Sequence, residues 1–185
     1  MIRLAAALLC LFSAPAFADD AALWRALAAG GHAAIMRHAT APGVGDPAGF
    51  KLGDCATQRN LSEEGRAEAR ALGDRFRKEG VAVGRVATSQ WCRCRDTAVE
   101  MALGEVVEDP RLNSFFGSDR EATRKAVDGV KAALAETPRA GPIAVLVTHQ
   151  VNVTATTGVY PASGEIVVVR LNESGAAEVV GTLKP

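Results

Sequence analysis

The sequence Ile143-Ala144-Val145-Leu146-Val147-Thr148-His149 places five apolar residues directly before two polar ones. A short, unbroken apolar run of this kind is typical of a strand that is buried on both faces, as in parallel sheets covered by helices. A second such run, His32–Arg37, follows two glycines and is itself followed by His38. The two runs predict an α/β fold in which polar residues come directly after buried strands.

The rest of the chain alternates between helix and strand patterns. Ser62 with Glu63 and Glu64 has the composition of a helix start, because serine caps the first turn and acids suit its dipole. An apolar stripe then continues to about Lys78. We also predict helices over residues 22–29, 93–103 and 119–136 and after His149, a strand over 86–89, and a terminal hairpin over 165–171 and 176–183. The sequence therefore predicts a three-layer α/β/α domain, residues 19–185, with a mostly parallel central sheet.

Composition and charge limit the possible partners. The 185 residues are 48% apolar and 23% charged, and 21 basic residues balance 21 acidic ones. A chain without net charge gives no sign of binding nucleic acid or an anionic membrane. Any anion site must therefore be local, and we expect a monomer or a weak homodimer.

The N-terminus has the pattern of a signal peptide. Arg3 precedes a short apolar run, Leu4–Phe12, and Ala16-Phe17-Ala18 matches the small-x-small cleavage pattern. We predict that residues 1–18 are removed, with no stable membrane anchor left, and that the mature protein starts at Asp19 in the periplasm or outside the cell. A buried N-terminal helix is the alternative.

Cleavage would leave three cysteines, Cys55, Cys92 and Cys94. An oxidising compartment makes one disulfide plausible. Because Cys92 and Cys94 are too close together in sequence for an easy bridge, we predict that Cys55 pairs with one of them. Three buried free cysteines remain the alternative.

Polar residues follow three of the predicted strands. Arg37-His38 ends the first strand, Thr88-Ser89 ends the next, and Thr148-His149 ends the most apolar one, while Arg93 lies in the first turn of the following helix. Ligands of open α/β sheets bind at the carboxyl ends of strands, where helix N-termini add N–H donors for anions. A lone histidine is usually structural, but four such groups at one edge favour an anion site.

Four stretches resemble, in order, the motifs of the histidine phosphatase superfamily, the phosphoglycerate-mutase-like group (branch 1). Met36-Arg37-His38-Ala39-Thr40 resembles its Arg-His-Gly signature, and Asn60–Arg66 resembles its Leu-Thr-x-x-Gly helix start. Residues 89–98 agree with its Ser-Pro-x-x-Arg-Ala-x-x-Thr-Ala pattern at the Ser, Arg, Thr and second Ala positions. Val147-Thr148-His149 resembles the segment that holds its second histidine. The resemblance spans residues 31–158.

The resemblance implies a role for each residue. His38 would attack phosphorus and form a phosphohistidine, Arg37 and Arg93 would hold the nonbridging oxygens, and His149 would donate a further hydrogen bond. Such a site needs neither a metal nor another cofactor, because positioning and charge stabilisation suffice for phosphoryl transfer. Thr40 and Arg59 are further candidates for substrate contacts, although Arg59 could equally belong to an exposed loop pair with Gln58.

The general acid is missing from both positions where this family places it. Ser114 stands where many members have a glutamate after an Arg-Leu pair, and Gln150 stands where others place an acid after the second histidine. Asp119 and Glu121 are the nearest carboxylates, and we predict Asp119, with helix capping as the alternative.

These observations favour an exported, metal-independent phosphomonoester hydrolase that acts on a small phosphorylated substrate. The missing acid keeps a second hypothesis open, a phosphate-ester-binding protein with little or no turnover. A redox or metal module is less well supported, since Cys-x-Cys has neither the redox spacing nor that of a standard zinc pair.

Overall fold

A computed structural model describes residues 19–173 and 176–185, which form a six-stranded sheet between two layers of helices. The helices are α1 (Asp20–Ala29), α2 (Glu63–Lys78), α3 (Cys92–Met101), α4 (Arg120–Ala135) and α5 (Gln150–Thr157). The strands are β1 (His32–Arg37), β2 (Val83–Thr88), β3 (Val106–Glu108), β4 (Ile143–Thr148), β5 (Ile166–Leu171) and β6 (Ala177–Leu183). The predicted α/β/α architecture is confirmed.

The strand order is β3-β2-β4-β1-β5-β6. The strands β1 to β4 are parallel, β5 pairs antiparallel with β1, and β6 pairs antiparallel with β5. The central strand β4 is buried along its whole length, as its apolar sequence predicts. Arg37 is in register with Thr148, and Thr88 is in register with Val147. The carboxyl ends of β1, β2 and β4 therefore lie side by side, and the residues that follow them share one edge of the sheet.

Side chains that alternate along the strands build two separate cores, one on each face of the sheet. On one face α1, α2 and α3 pack against Met36, Val145 and Ile166 of the strands. On the other face α4 and α5 pack against Ile35, Leu146 and Val167. The two cores hold the sheet rigid, so the loops at its edge have a fixed frame.

Helix α2 begins as its sequence predicts. The hydroxyl of Ser62 accepts a hydrogen bond from the backbone N–H of Gly65 at 3.1 Å, which caps the first turn. Gly65 also packs against the backbone of Thr40, where a side-chain carbon would collide with the Thr40 carbonyl. The glycine therefore lets the start of α2 sit directly beside the segment that follows β1.

The elements differ most from the predictions in the region of β2 and β3. Strand β2 begins at Val83 rather than at Val86, and the edge strand β3 was not predicted at all. β3 has only three residues, too few for an alternating pattern to stand out. The terminal hairpin is confirmed, since β5 and β6 pair antiparallel over the predicted range.

The predicted signal peptide, residues 1–18, lies outside the described residues. Within the part of the chain that the structure describes, none of the helices has the length and apolar character needed to cross a membrane.

Candidate active site

A pocket of about 410 Å³ opens at the carboxyl ends of β1, β2 and β4. The five residues His38, His149, Arg37, Arg93 and Arg59 all line it. The structure therefore brings together all four principal residues predicted from the sequence, and one of the two further candidates.

His38 is held with one ring nitrogen turned to the pocket. Its backbone N–H donates to the carbonyl of Thr148 at 2.9 Å, which continues the β1–β4 pairing. Its Nδ1 lies 2.8 Å from the carbonyl of Ala39, and because a carbonyl only accepts, Nδ1 must carry the proton. The lone pair is therefore on Nε2, which lies 3.2 Å from Nε of Arg93. The ring is only 2% exposed.

Burial and charge keep this imidazole neutral. Burial is the main cause and the guanidiniums of Arg93, Arg37 and Arg59 add to it, so that the pKa of His38 falls from 6.5 to about 3. A neutral ring keeps an unprotonated Nε2, as a nucleophile requires.

His149 lies opposite His38, and the centroids of the two rings are 5.7 Å apart. Its Nε2 lies 2.8 Å from Oγ of Ser89, and its Nδ1 lies 3.4 Å from a terminal guanidinium nitrogen of Arg93. Since Arg93 only donates, Nδ1 accepts and Nε2–H donates to Ser89. Burial and then the neighbouring positive groups hold the pKa of His149 well below its ordinary value. To donate to a phosphate from Nδ1, this ring must take the other tautomer, which the Ser89 hydroxyl can support by donating in turn.

Arg93 is buried and lies at the centre of the hydrogen-bond network. Its terminal nitrogens donate to the two carboxylate oxygens of Asp46, at 2.7 Å and 3.2 Å. Trp91 lies beside the guanidinium, whose carbon is 6.0 Å from the ring centroid. The indole N–H of Trp91 also donates to Asp46, at 3.0 Å. The sequence did not identify Asp46 as a site residue, although it is bound directly to a predicted one.

Arg37 brings a second guanidinium to the pocket. One terminal nitrogen reaches the carbonyl of Pro161 at 3.4 Å. Its Nε is buried and has no hydrogen-bond partner among the described residues. A buried N–H without a partner is costly, so this donor is suited to an oxygen of a bound anion.

Arg59 organises the loop between β1 and α2. Its Nε donates to the carbonyl of Gly45 at 2.7 Å, a terminal nitrogen donates to the carbonyl of Ala41, and its backbone N–H donates to Asp46 at 3.2 Å. Arg59 therefore lines the pocket as predicted, while much of its guanidinium is occupied by the loop.

A disulfide joins the end of this loop to the start of α3. It links Cys55 to Cys92, one of the two predicted pairings, while Cys94 is a buried free thiol. The backbone N–H of Cys92 also donates to the side chain of Gln58 at 3.0 Å. The loop that carries Asp46 is thus fixed to the helix that carries Arg93.

The outer wall of the pocket is apolar. Phe50, Phe116 and Tyr160 are 37%, 66% and 74% exposed, and together with Val44 they line the mouth. They are also the exposed aromatic residues of the described chain, and all three lie at this one site. Exposed apolar residues gathered in one place commonly mark a binding surface.

Two predicted site residues lie elsewhere. Asp119 is exposed, and its carboxylate accepts from the backbone N–H of Ala122 at 2.9 Å, so it caps α4 and does not line the pocket. The prediction of Asp119 as the general acid is therefore corrected. Thr40 does not line the pocket either. Its backbone N–H donates to Glu68 and its carbonyl accepts from Ser62. Ser114 and Gln150 do line it, but neither side chain is an acid.

Within residues 19–173 and 176–185, no group of three or more His, Cys, Asp or Glu side chains is arranged to hold a metal ion. The site instead combines neutral imidazoles with fixed guanidiniums, an arrangement that can bind a phosphate and attack it.

Comparison with known proteins identifies the family of the chain. The sequence pattern of the histidine phosphatase superfamily (branch 1) matches residues 34–136, more than half of the chain, and this range includes Arg37, His38 and Arg93. No curated protein matches the chain by sequence.

Solved structures share the fold at low identity. The protein histidine phosphatase SixA complexed with tungstate has a TM-score of 0.58 at 20% identity, covering 83% of this chain and 97% of that one. A mycobacterial glucosyl-3-phosphoglycerate phosphatase has a TM-score of 0.57 at 16% identity, covering 80% and 95%. The phosphoglycerate mutase of Plasmodium falciparum has a TM-score of 0.52 at 13% identity, covering 83% and 93%. With the family match and this site geometry, we conclude that the chain belongs to the histidine phosphatase superfamily, branch 1.

Proposed function

We propose that the chain is an exported phosphomonoester hydrolase that works through a phosphohistidine on His38 and needs no metal ion. The observation that carries the proposal is the orientation of His38. Its Nδ1–H is bound to the carbonyl of Ala39, and its Nε2 lone pair faces a pocket lined by guanidiniums. A neutral, fixed imidazole beside bound phosphate is a nucleophile already in position.

The reaction has two displacements. In the first, Nε2 of His38 attacks phosphorus, an N–P bond forms, the ester P–O bond breaks, and the leaving oxygen takes a proton. In the second, water attacks the phosphohistidine, the N–P bond breaks, and inorganic phosphate leaves with His38 restored. Arg37 and Arg93 hold the nonbridging oxygens through both steps, since planar guanidiniums suit phosphate geometry.

The size and lining of the pocket indicate what the phosphate is attached to. A volume of about 410 Å³ exceeds what a phosphate group alone requires, and the apolar mouth lies beyond the guanidiniums. The proposed substrate is a small phosphorylated compound whose organic group contacts Phe50, Phe116 and Tyr160.

Phosphate release tests the proposal. Purified mature protein would be screened, with a chelator present, against sugar phosphates, nucleotides, inositol phosphates, phosphopeptides and phosphohistidine, the last because of the name of SixA. We expect release from at least one class in wild type and none in His38→Ala. Release that His38→Ala retains, or that stops with chelator, would contradict the mechanism.

A second function, phosphate-ester binding without turnover, is favoured by one observation. Asp46 pairs with Arg93, and the two positions where the family places its acid hold Ser114 and Gln150. A binding protein would retain phosphate esters in equilibrium dialysis and hydrolyse none of them, not even an activated aryl ester.

Export can be tested separately. The full chain would be expressed in a Gram-negative bacterium and the protein isolated from the periplasm or the medium. We expect a mature N-terminus at Asp19. The disulfide between Cys55 and Cys92 agrees with an oxidising compartment. An uncleaved chain confined to the cytoplasm would overturn this part of the proposal.

A further inference from the structure

One acidic side chain lies in the pocket. Among the described residues that line it, Asp46 alone carries a carboxyl group. Asp46 belongs to the loop between β1 and α2, and the same loop supplies Val44 and Phe50 to the apolar mouth. Its side chain is only 11% exposed. The carboxyl therefore lies on the loop that also supplies part of the apolar mouth.

The carboxylate is one guanidinium away from the nucleophile. Arg93 donates from its terminal nitrogens to Asp46 at 2.7 Å and 3.2 Å, and from Nε to His38 at 3.2 Å. Asp46 also accepts from the Trp91 indole and from the backbone N–H of Arg59. These bonds place a titratable oxygen near the reacting centre with a defined orientation.

A phosphate bound to Arg93 would lie on the same guanidinium as Asp46. A guanidinium has five N–H donors. In Arg93 one faces His38, two face Asp46, one faces the carbonyl of Arg59 and one faces His149. Attack by Nε2 of His38 and the tautomer change of His149 free the two donors that face those rings, and a phosphate oxygen can accept from them. The phosphate and the Asp46 carboxylate would then share one guanidinium.

A phosphate on the same guanidinium changes the electrostatics of Asp46. Burial by itself raises the pKa of the carboxyl, but hydrogen bonds and charge from Arg93, with the N–H groups of Arg59 and Trp91, outweigh burial and lower it. Arg37 and the neutral rings of His38 and His149 line the same pocket. A phosphate on Arg93 shares the charge that stabilises the carboxylate and gives the carboxylate an anionic neighbour, and both changes raise its pKa.

We propose that Asp46 is the proton donor to the leaving group, and the proposal rests on the phosphatase function argued above. In the first step Nε2 of His38 bonds to phosphorus while the P–O bond breaks, and the carboxyl of Asp46 gives its proton to the leaving oxygen. In-line displacement puts that oxygen on the side of phosphorus away from His38. In the second step the Asp46 carboxylate takes a proton from the attacking water, so the carboxyl is regenerated as phosphate forms.

The test compares two esters in Asp46→Asn. Benzyl phosphate leaves as an alkoxide and needs a proton, whereas 4-nitrophenyl phosphate leaves as a stable phenolate and does not. We expect kcat/KM for benzyl phosphate to fall by about 10²- to 10⁴-fold, the usual contribution of a general acid. For 4-nitrophenyl phosphate we expect a much smaller loss. Asp119→Asn is the matched control, because it removes the same charge while asparagine keeps the cap of α4, and both rates should stay close to wild type.

Two other outcomes for Asp46→Asn would overturn the proposal. An equal loss for both esters would mean that Asp46 only positions Arg93, and a gain for both would mean that it only obstructs the anion site. Wild-type protein that hydrolyses neither ester nor any screened compound would overturn the phosphatase function itself.

A graded series of substituted phenyl phosphates extends the test. Over this series, wild-type kcat/KM should depend weakly on the basicity of the leaving group, and that of Asp46→Asn steeply. If the asparagine variant fails to fold, a steep dependence in wild type alone would already contradict a proton donor.

Discussion

The Nε atom of Arg93 lies 3.2 Å from Nε2 of His38, so a permanent cation borders the nucleophilic lone pair. The arrangement serves two purposes. The guanidinium helps burial to keep the imidazole unprotonated, and it is placed to bind the phosphate that the imidazole attacks in the proposed mechanism. A histidine exposed on a loop would be partly protonated near neutral pH and would have no fixed cation beside it.

Replacing Arg93 by lysine should lower kcat/KM for an activated aryl phosphate by about 10²-fold or more, as expected when a preorganised donor to the phosphoryl group is lost. Lysine keeps the charge but has no planar pair of donors. Steady-state kinetics measures the change.

Arg95→Lys is a suitable control for this substitution, because Arg95 is on the same helix α3 but does not line the pocket. Its rate should stay near that of wild type. Equal losses in the two variants would indicate a general effect on α3.

Acid should destabilise the folded protein before carboxylates titrate. The pKa of His38 is lowered from 6.5 to about 3, and that of His149 is also lowered. Between pH 6.5 and about 3 the unfolded chain therefore binds protons that the folded chain does not. The stability that these two neutral rings contribute is therefore fully present above about pH 6.5 and is lost as the pH drops toward 3. Urea unfolding of His38→Gln should show a shallower decline over this range. An identical slope in both proteins would refute the assignment.

The disulfide should contribute strongly to stability. Cys55 and Cys92 are 37 residues apart, and closing a loop of that length constrains the unfolded chain by about 3–4 kcal/mol in the chain-entropy model. The double variant Cys55→Ala/Cys92→Ala should lose most of this in urea unfolding.

Thiol counting checks the pairing. Unfolded mature protein without reductant should react at one thiol, Cys94, because the other two are joined. Three reactive thiols would show that the bridge does not form.

The apolar mouth should affect organic groups but not phosphate itself. Phe116→Ala and Tyr160→Ala should each raise KM for benzyl phosphate about fivefold, corresponding to about 1 kcal/mol of aromatic contact. The inhibition constant of inorganic phosphate should change little. Val99→Ala is the control, because Val99 is 56% exposed on α3, outside the pocket. An effect on phosphate as large as that on the ester would contradict this role.

The sequence predicted the frame and four residues that line the pocket because both follow local rules. β4 is recognisable from five apolar residues in a row, and His149 follows it directly. The register between β1 and β4 then brings His38 and His149 to one edge, which is a consequence of parallel pairing and not of their spacing.

The sequence did not predict Asp46, because its orientation depends on tertiary contacts. Gly43 and Gly45 adopt φ values of 91° and 71°, which turn the loop. Arg59, which comes 14 residues after Gly45, donates to the carbonyl of Gly45. A carboxylate in a Gly- and Pro-rich segment gives no periodic signal of such a turn. Asp119 was misassigned for the opposite reason, since its local role as a helix cap was the stronger one.

The most direct measurement of the central claim is rapid-quench labelling of His38. Wild-type and His38→Gln proteins would be mixed with an aryl phosphate that the wild-type protein hydrolyses. The samples would be quenched in alkali within milliseconds and digested for mass spectrometry. We predict an acid-labile phosphate on the peptide that contains His38, formed before phosphate is released and absent from the variant. Steady hydrolysis with no phosphohistidine at this residue, or with labelling on another one, would contradict the account.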